Sequence, residues 1–150
     1  MDIPPLLKFI LMPVVVWTVG QTIKFFLHIL LTSRDARRDF FWIYTWAGGF
    51  PSTHTAIFVS TTYIIGQIDR WGPLFGLSFA VTLLLVYDLV AEKKKQVLWE
   101  SYFIQKEASE IKTLIEEGKV LDISGHEIKD VIGGMILGII MGMLLYSVFF

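Results

Sequence analysis

The sequence predicts an all-α fold, a polytopic membrane bundle of about four transmembrane helices plus an interfacial amphipathic helix. Three observations carry this. Of the 150 residues, 54% are hydrophobic and only 18% are charged, below the usual quarter for a soluble domain. Four long apolar segments recur along the chain, and the mean hydropathy is +0.61. The length suits one domain covering residues 1–150.

The segments justify the elements in order. Phe9–Leu31 is apolar except for Gln21, Lys24 and His28, with Pro13 as the expected kink. Phe40–Ile68 is interrupted by Gly48-Gly49-Phe50-Pro51, so its span is expected over 52–68, with 40–46 as an interfacial or re-entrant lead-in. Pro73–Ala91 carries Asp88 near its end, and Val131–Phe150 has no charge. A helix of ~20 residues rises ~30 Å, the thickness of a hydrocarbon core, so the spans are expected at 9–31, 52–68, 73–91 and 131–150. Backbone broken at membrane depth is tolerated only when buried in protein or lining a cavity, which makes the Gly-Gly-Phe-Pro break a pointer to a site. Between the last two spans, Val97, Ile104, Ala108, Ile111 and Ile115 recur at helical spacing and Gly118 follows. That stretch predicts an amphipathic helix over 93–117, packed on the bundle or lying at the headgroups; a lid or a dimer contact is the alternative.

Composition narrows the functions. A net charge of −1 gives nucleic acid no electrostatic attraction. The absence of cysteine excludes disulfides, thiolate metal sites and a cysteine nucleophile. Pro4 and Pro5, a lone Lys8 and no small-residue cleavage site argue against a cleavable signal, so the first span is expected to be retained. Arg34, Arg37, Arg38 and Lys93-Lys94-Lys95 lie in the 32–41 and 92–130 connections. The positive-inside rule then puts these connections in the cytoplasm and both termini outside.

On that topology every polar cluster of the spans reaches one membrane face. Lys24 lies two turns before the end of the first span, Gly48–His54 open the second, Asp88 and the lysines close the third, and His126 and Asp130 open the fourth. Ionisable residues at membrane depth are costly and are functional candidates by default. Singly, each has a plain structural reading: a snorkelling lysine, a helix-capping Ser52, a lysine topology anchor, a helix-start His-x-x-x-Asp pair. Their convergence is harder to explain that way. Glycine-freed N–H groups, a helix N-terminus and lysines suit phosphate, and two histidines suit nucleophile and acid. Asp130, one turn beyond His126, would share its helix face.

The motifs resemble those of the divergent family related to phosphatidic acid phosphatase type 2. Gly48-Gly49-Phe50-Pro51-Ser52-Thr53-His54-Thr55-Ala56 is similar to its Gly-Gly-Met-Pro-Ser-Ser-His-Ser-Ala signature. Tyr87-Asp88 with Lys93-Lys94, the Gly125-His126…Asp130-Val131…Gly134…Gly138 block, and Gln21-x-x-Lys24 are similar to its other motifs, over residues 20–142. The wider superfamily includes lipid phosphate phosphatases and vanadium haloperoxidases. The resemblance implies His126 as a nucleophile forming a phosphohistidine, Asp130 as its orienter and His54 as general acid. It implies phosphate binding by Lys24, Gly49, Ser52, Lys93 and Lys94, with Asp88, Thr53 and Arg34 supporting, and no metal or cofactor. The expected partners are the bilayer and a lipid phosphate, monoester or diphosphate, and the expected place is the plasma membrane with the site at the cytoplasmic face. Two departures stand out. Leu31 occupies the position seven after Lys24 where the superfamily has arginine, and Ile123-Ser124-Gly125 replaces its Ser-Arg before the nucleophile. A non-catalytic lipid-phosphate-binding protein is therefore the alternative. A structural or transport component is a third reading, prompted by Gly134-x-x-x-Gly138-x-x-x-Gly142, which suits either intramolecular packing or a homodimer.

Overall fold

The structure, a computed structural model, describes residues 4–31, 49–105 and 127–150. Among these residues the chain is all-α, with four helices: α1 (Pro5–Leu31), α2 (Thr53–Ile68), α3 (Pro73–Gln105) and α4 (Ile128–Phe149). Three of them, α1, α3 over Pro73–Lys95 and α4, are long and apolar enough to cross a membrane. Among the described residues each of these candidate spans is helical, so its backbone satisfies itself in hydrocarbon. The protein is an integral membrane protein.

Helix α2 has 16 residues and so rises only ~24 Å, and it is the central element: it packs on α4, α3 and α1 alike. Its contact with α4 is set by glycine. A Cβ on Gly138 would lie 2.7 Å from the Ala56 carbonyl oxygen, one on Gly134 2.8 Å from Thr55 Cβ, and one on Gly142 3.0 Å from the Tyr63 ring. The glycine ladder of α4 is thus spent on close approach to α2 within one chain, the packing mode that membrane helices use when burial of apolar area supplies no drive. Around this seam Met12, Val16, Ala56, Ile64, Met141 and Leu145 form the apolar core. On the α3 side, Thr62 Oγ1 lies 2.7 Å from both Ser78 Oγ and Thr82 Oγ1, a buried hydroxyl cluster that ties α2 to α3.

Two differences from the sequence expectations concern helix limits. Helix α1 starts at Pro5 and not at Phe9, with Pro13 inside it. Helix α3 runs unbroken to Gln105, so the third span and the start of the expected amphipathic helix are one rod. No proline or glycine falls between Gly76 and Gln105, and Ala91-Glu92-Lys93-Lys94 are strong helix formers that give the chain no reason to stop at the interface. The remainder of that expected helix and the 40–46 lead-in lie outside the described residues.

The direction of each helix decides where the site lies. The Ser52 N–H donates to the Asp130 carbonyl (2.8 Å), so α2 and α4 start at the same end. At the other end Lys8 Nζ donates to the Phe149 carbonyl (2.6 Å), which joins the start of α1 to the finish of α4. The finish of α1, the start of α2, the Val90–Leu98 stretch of α3 and the start of α4 therefore share one mouth.

Candidate functional site

The mouth is organised by the Gly49–Ser52 loop. Gly49 has φ 85°, a left-handed backbone open to glycine at little cost. The Phe50–Pro51 peptide bond is cis. Phe50 lies across Gly133, where an added Cβ would come within 2.7 Å of the ring Cζ, and Pro51 and Ser52 are buried. The loop is thereby pinned to α4 by a ring on a glycine and a backbone hydrogen bond.

Ser52 is the N-cap of α2. Its hydroxyl accepts from Thr55 N–H (3.3 Å) and Thr55 Oγ1–H (2.9 Å), and the residue is fully buried. Both its side chain and its N–H are used within the protein. The first turn of α2 then presents Thr53, which is buried, and His54, which is exposed. The positive end of the α2 dipole opens to the same mouth.

From α1, Gly20 and Lys24 face this turn. A Cβ on Gly20 would lie 3.1 Å from Thr53 Oγ1, which brings α1 close to the α2 start. Lys24 is only 5% exposed and lies within electrostatic range of both Asp130 and His54. A lysine this deep among apolar helices is costly unless an anion or polar groups face it. Asp130, also buried, supplies the charge from α4, and its Oδ2 accepts from the Glu127 N–H (3.1 Å), closing the first turn of that helix. Lys24, His54 and Asp130, which lie on α1, α2 and α4, thus form one group.

Other expected site residues are placed elsewhere or lie beyond what is described. Lys93 and Lys94 line a cleft of about 550 Å³ with Val90 and Leu98 of α3 and with Glu127, Ile128 and Lys129 at the start of α4. The first turn of α4 joins the two groups: Ile128 and Lys129 are exposed on the cleft, Asp130 and Val131 are buried, and Glu127, which lines the cleft, donates its N–H to Asp130 Oδ2. Glu127 pairs with Lys129 (2.7 Å), and this hydrogen bond and charge hold its carboxyl below the usual range. Asp88 is exposed on α3. Gly48, Arg34 and His126 lie outside the described residues, although His126 immediately precedes Glu127 in the chain.

Gln21 lies on the same face of α1 as Lys24, and the sequence alone gave it no role. It is buried, one turn before Lys24, and Gln21, Lys24 and His28 recur at i, i+3 and i+7 on one face of α1. Its signal was present in the sequence, an amide in an apolar run at helical spacing from a lysine.

No curated protein and no solved structure matches the chain. A family model described as the divergent PAP2 family matches residues 7–141, which takes in the Gly49–Ser52 loop, Lys24, His54 and Asp130. The chain therefore belongs to the divergent PAP2 family.

Proposed function

We propose that this protein is a membrane-embedded phosphatase that hydrolyses a lipid phosphate, monoester or diphosphate, at the mouth formed by Lys24, His54 and Asp130. The observation that carries the reading is the burial of Lys24 within electrostatic range of a histidine and a carboxylate drawn from two other helices. An ammonium held there attracts an anion that arrives along the membrane surface, and the α2 N-terminus adds to the pull.

The chemistry follows the roles that the family resemblance assigns. His126 attacks phosphorus, a P–N bond forms and the P–O bond to the leaving lipid oxygen breaks, while His54 gives that oxygen its proton. Water then takes the place of the histidine: a P–O bond forms, the P–N bond breaks, and His54 recovers a proton from the attacking water. Asp130, whose Oδ2 also accepts from the Glu127 N–H, supports the imidazolium. Lys24 neutralises the phosphoryl oxygens throughout. By the positive-inside rule the mouth faces the cytoplasm.

The test is phosphate release from a panel of lipid phosphates by the detergent-purified protein, with and without vanadate. Wild type releases phosphate and vanadate suppresses it; His54→Ala lowers turnover ~10²–10⁴-fold, the usual weight of a general acid. Absence of release from every lipid phosphate, with His126→Ala indistinguishable from wild type, would sink the proposal. One observation favours a second reading, a binding protein without turnover. Leu31, where the superfamily carries an arginine, is 81% exposed at the end of α1 and offers phosphate no donor. In that case saturable lipid-phosphate or vanadate binding persists in His54→Ala without any release.

A further inference from the structure

Helix α2 sits at the centre of the bundle, yet one of its faces has no helix over it. On a helix of 3.6 residues per turn, Thr53 and Thr62 point ~100° and ~80° to opposite sides of His54, and Tyr63 points ~180° away from it. Each of these three directions is taken: Thr53 meets Gly20 of α1, Thr62 meets Ser78 and Thr82 of α3, and Tyr63 meets Gly142 of α4. The fourth direction is the stripe of His54, Phe58, Thr61, Ile65 and Ile68, spaced i, i+4, i+7, i+11 and i+14. His54 and Ile68 are exposed, and the three residues between them are partly exposed. Helix α4 packs on both α1 and α3, but among the described residues α1 and α3 do not pack on each other. The stripe is therefore the floor of a groove whose walls are α1 and α3 and whose open side faces the bilayer.

The groove is continuous with the site already described. Its upper end is His54, which lies within electrostatic range of Lys24 from the α1 wall. Below His54 the floor is apolar except for Thr61. From His54 to Ile68 it falls ~21 Å, more than the ~15 Å depth of one leaflet of a ~30 Å hydrocarbon core. Cationic groups above and a long apolar track below match an amphiphile with a negative head and a hydrocarbon tail. We infer that the α1–α3 groove is the lateral entrance to the Lys24 mouth, through which a lipid phosphate arrives from the bilayer with its chain along Phe58, Thr61 and Ile65. The inference rests on the reading of that mouth as a lipid phosphatase, and adds to it the route and the part of α2 that meets the chain. Because lipid tails are as apolar as these side chains, the groove supplies little affinity. It sets path and orientation, and the head held at Lys24 decides which lipid stays.

The experiment is photolabelling of the full chain in phosphatidylcholine nanodiscs by phosphatidic acid with a diazirine in mid-chain, with adducts mapped by peptide mass spectrometry. Wild type is labelled on α2 between Phe58 and Ile68, and excess phosphatidic acid suppresses the label where equal excess phosphatidylcholine does not. Thr61→Trp, which fills the floor, lowers it ~10-fold, within the usual weight of overpacking. Ile136→Trp, 56% exposed on α4 away from the groove, leaves it within about twofold. Circular dichroism checks the folding of both variants, and the wild-type map decides without them. Labels confined to α4, or α2 labels that phosphatidylcholine suppresses equally, would mean ordinary boundary lipid and overturn the entrance. So would a crosslink that joins two copies through the groove. Phosphate release on the same samples separates the two readings. Specific α2 labels without release end the phosphatase and leave the groove; release without α2 labels ends the groove alone.

Discussion

Each mouth of the bundle holds a lysine near a helix end, and the two are used in opposite ways. At one, Lys8 Nζ donates to the Phe149 carbonyl at the finish of α4 and lies 5.0 Å from the Phe150 ring centre, with Phe9 and Tyr146 packed around that ring. A carbonyl, a helix C-terminus and an aromatic face satisfy the ammonium locally. At the other mouth Lys24 is buried within electrostatic range of Asp130 and His54, which come from separate helices. The first arrangement closes a helix end. The second concentrates opposed charge in a place that burial makes costly, and such costs are retained where chemistry or binding uses them.

The comparison breaks most directly on activity. Lys24→Met is expected to lower phosphate release from the best lipid phosphate by ~10²-fold or more, the weight of a group that stabilises transition-state charge. Lys8→Met should change release no more than about twofold, because its partners serve packing alone. Equal losses in a single-turnover assay would end the distinction between the mouths.

A second contrast concerns stability at the site mouth. In Gly134→Ala the new methyl meets the Ser52 carbonyl and Thr55 Cβ. Helices α2 and α4 must part, at a cost of ~1–3 kcal/mol by the usual scale of overpacking. Gly76→Ala, on α3, meets nothing within 4 Å and should raise stability by up to ~1 kcal/mol through helix propensity. Denaturation in mixed micelles reads both signs. Because Gly134 touches the loop that carries Ser52, its alanine variant should also lose activity before it loses helix content.

The smallest effect lies between the two mouths. Thr62→Val removes the hydroxyl that bridges Ser78 and Thr82, and interhelical hydrogen bonds in membranes average ~0.6 kcal/mol. The same unfolding assay should show a loss of that order, with phosphate release retained. A cost of several kcal/mol would instead make this cluster the principal tie between α2 and α3.

Much of this molecule was legible without coordinates. The apolar runs around Lys24 and Asp88 mark spans because hydrocarbon thickness sets their length, and the Gly-Gly-Phe-Pro break marks the loop because broken backbone at that depth must be sheltered. Ser52 is readable as a cap from its place before Thr53 and His54. The continuity of α3 past Lys95 was missed, since a change from apolar to charged residues alters what surrounds a helix without altering the helix itself.

By itself the sequence determined the membrane class, the helical content, the family and the gathering of polar residues towards one mouth. These depend on local pattern, and local pattern is written residue by residue. Tertiary structure alone decided that Gly134, Gly138 and Gly142 face α2, that the Ser52 N–H is given to the Asp130 carbonyl, and that Lys93 and Lys94 line a cleft with the first turn of α4. Helical periodicity assigns each residue to a face of its own helix. Which neighbour that face meets depends on packing between segments tens of residues apart in the chain.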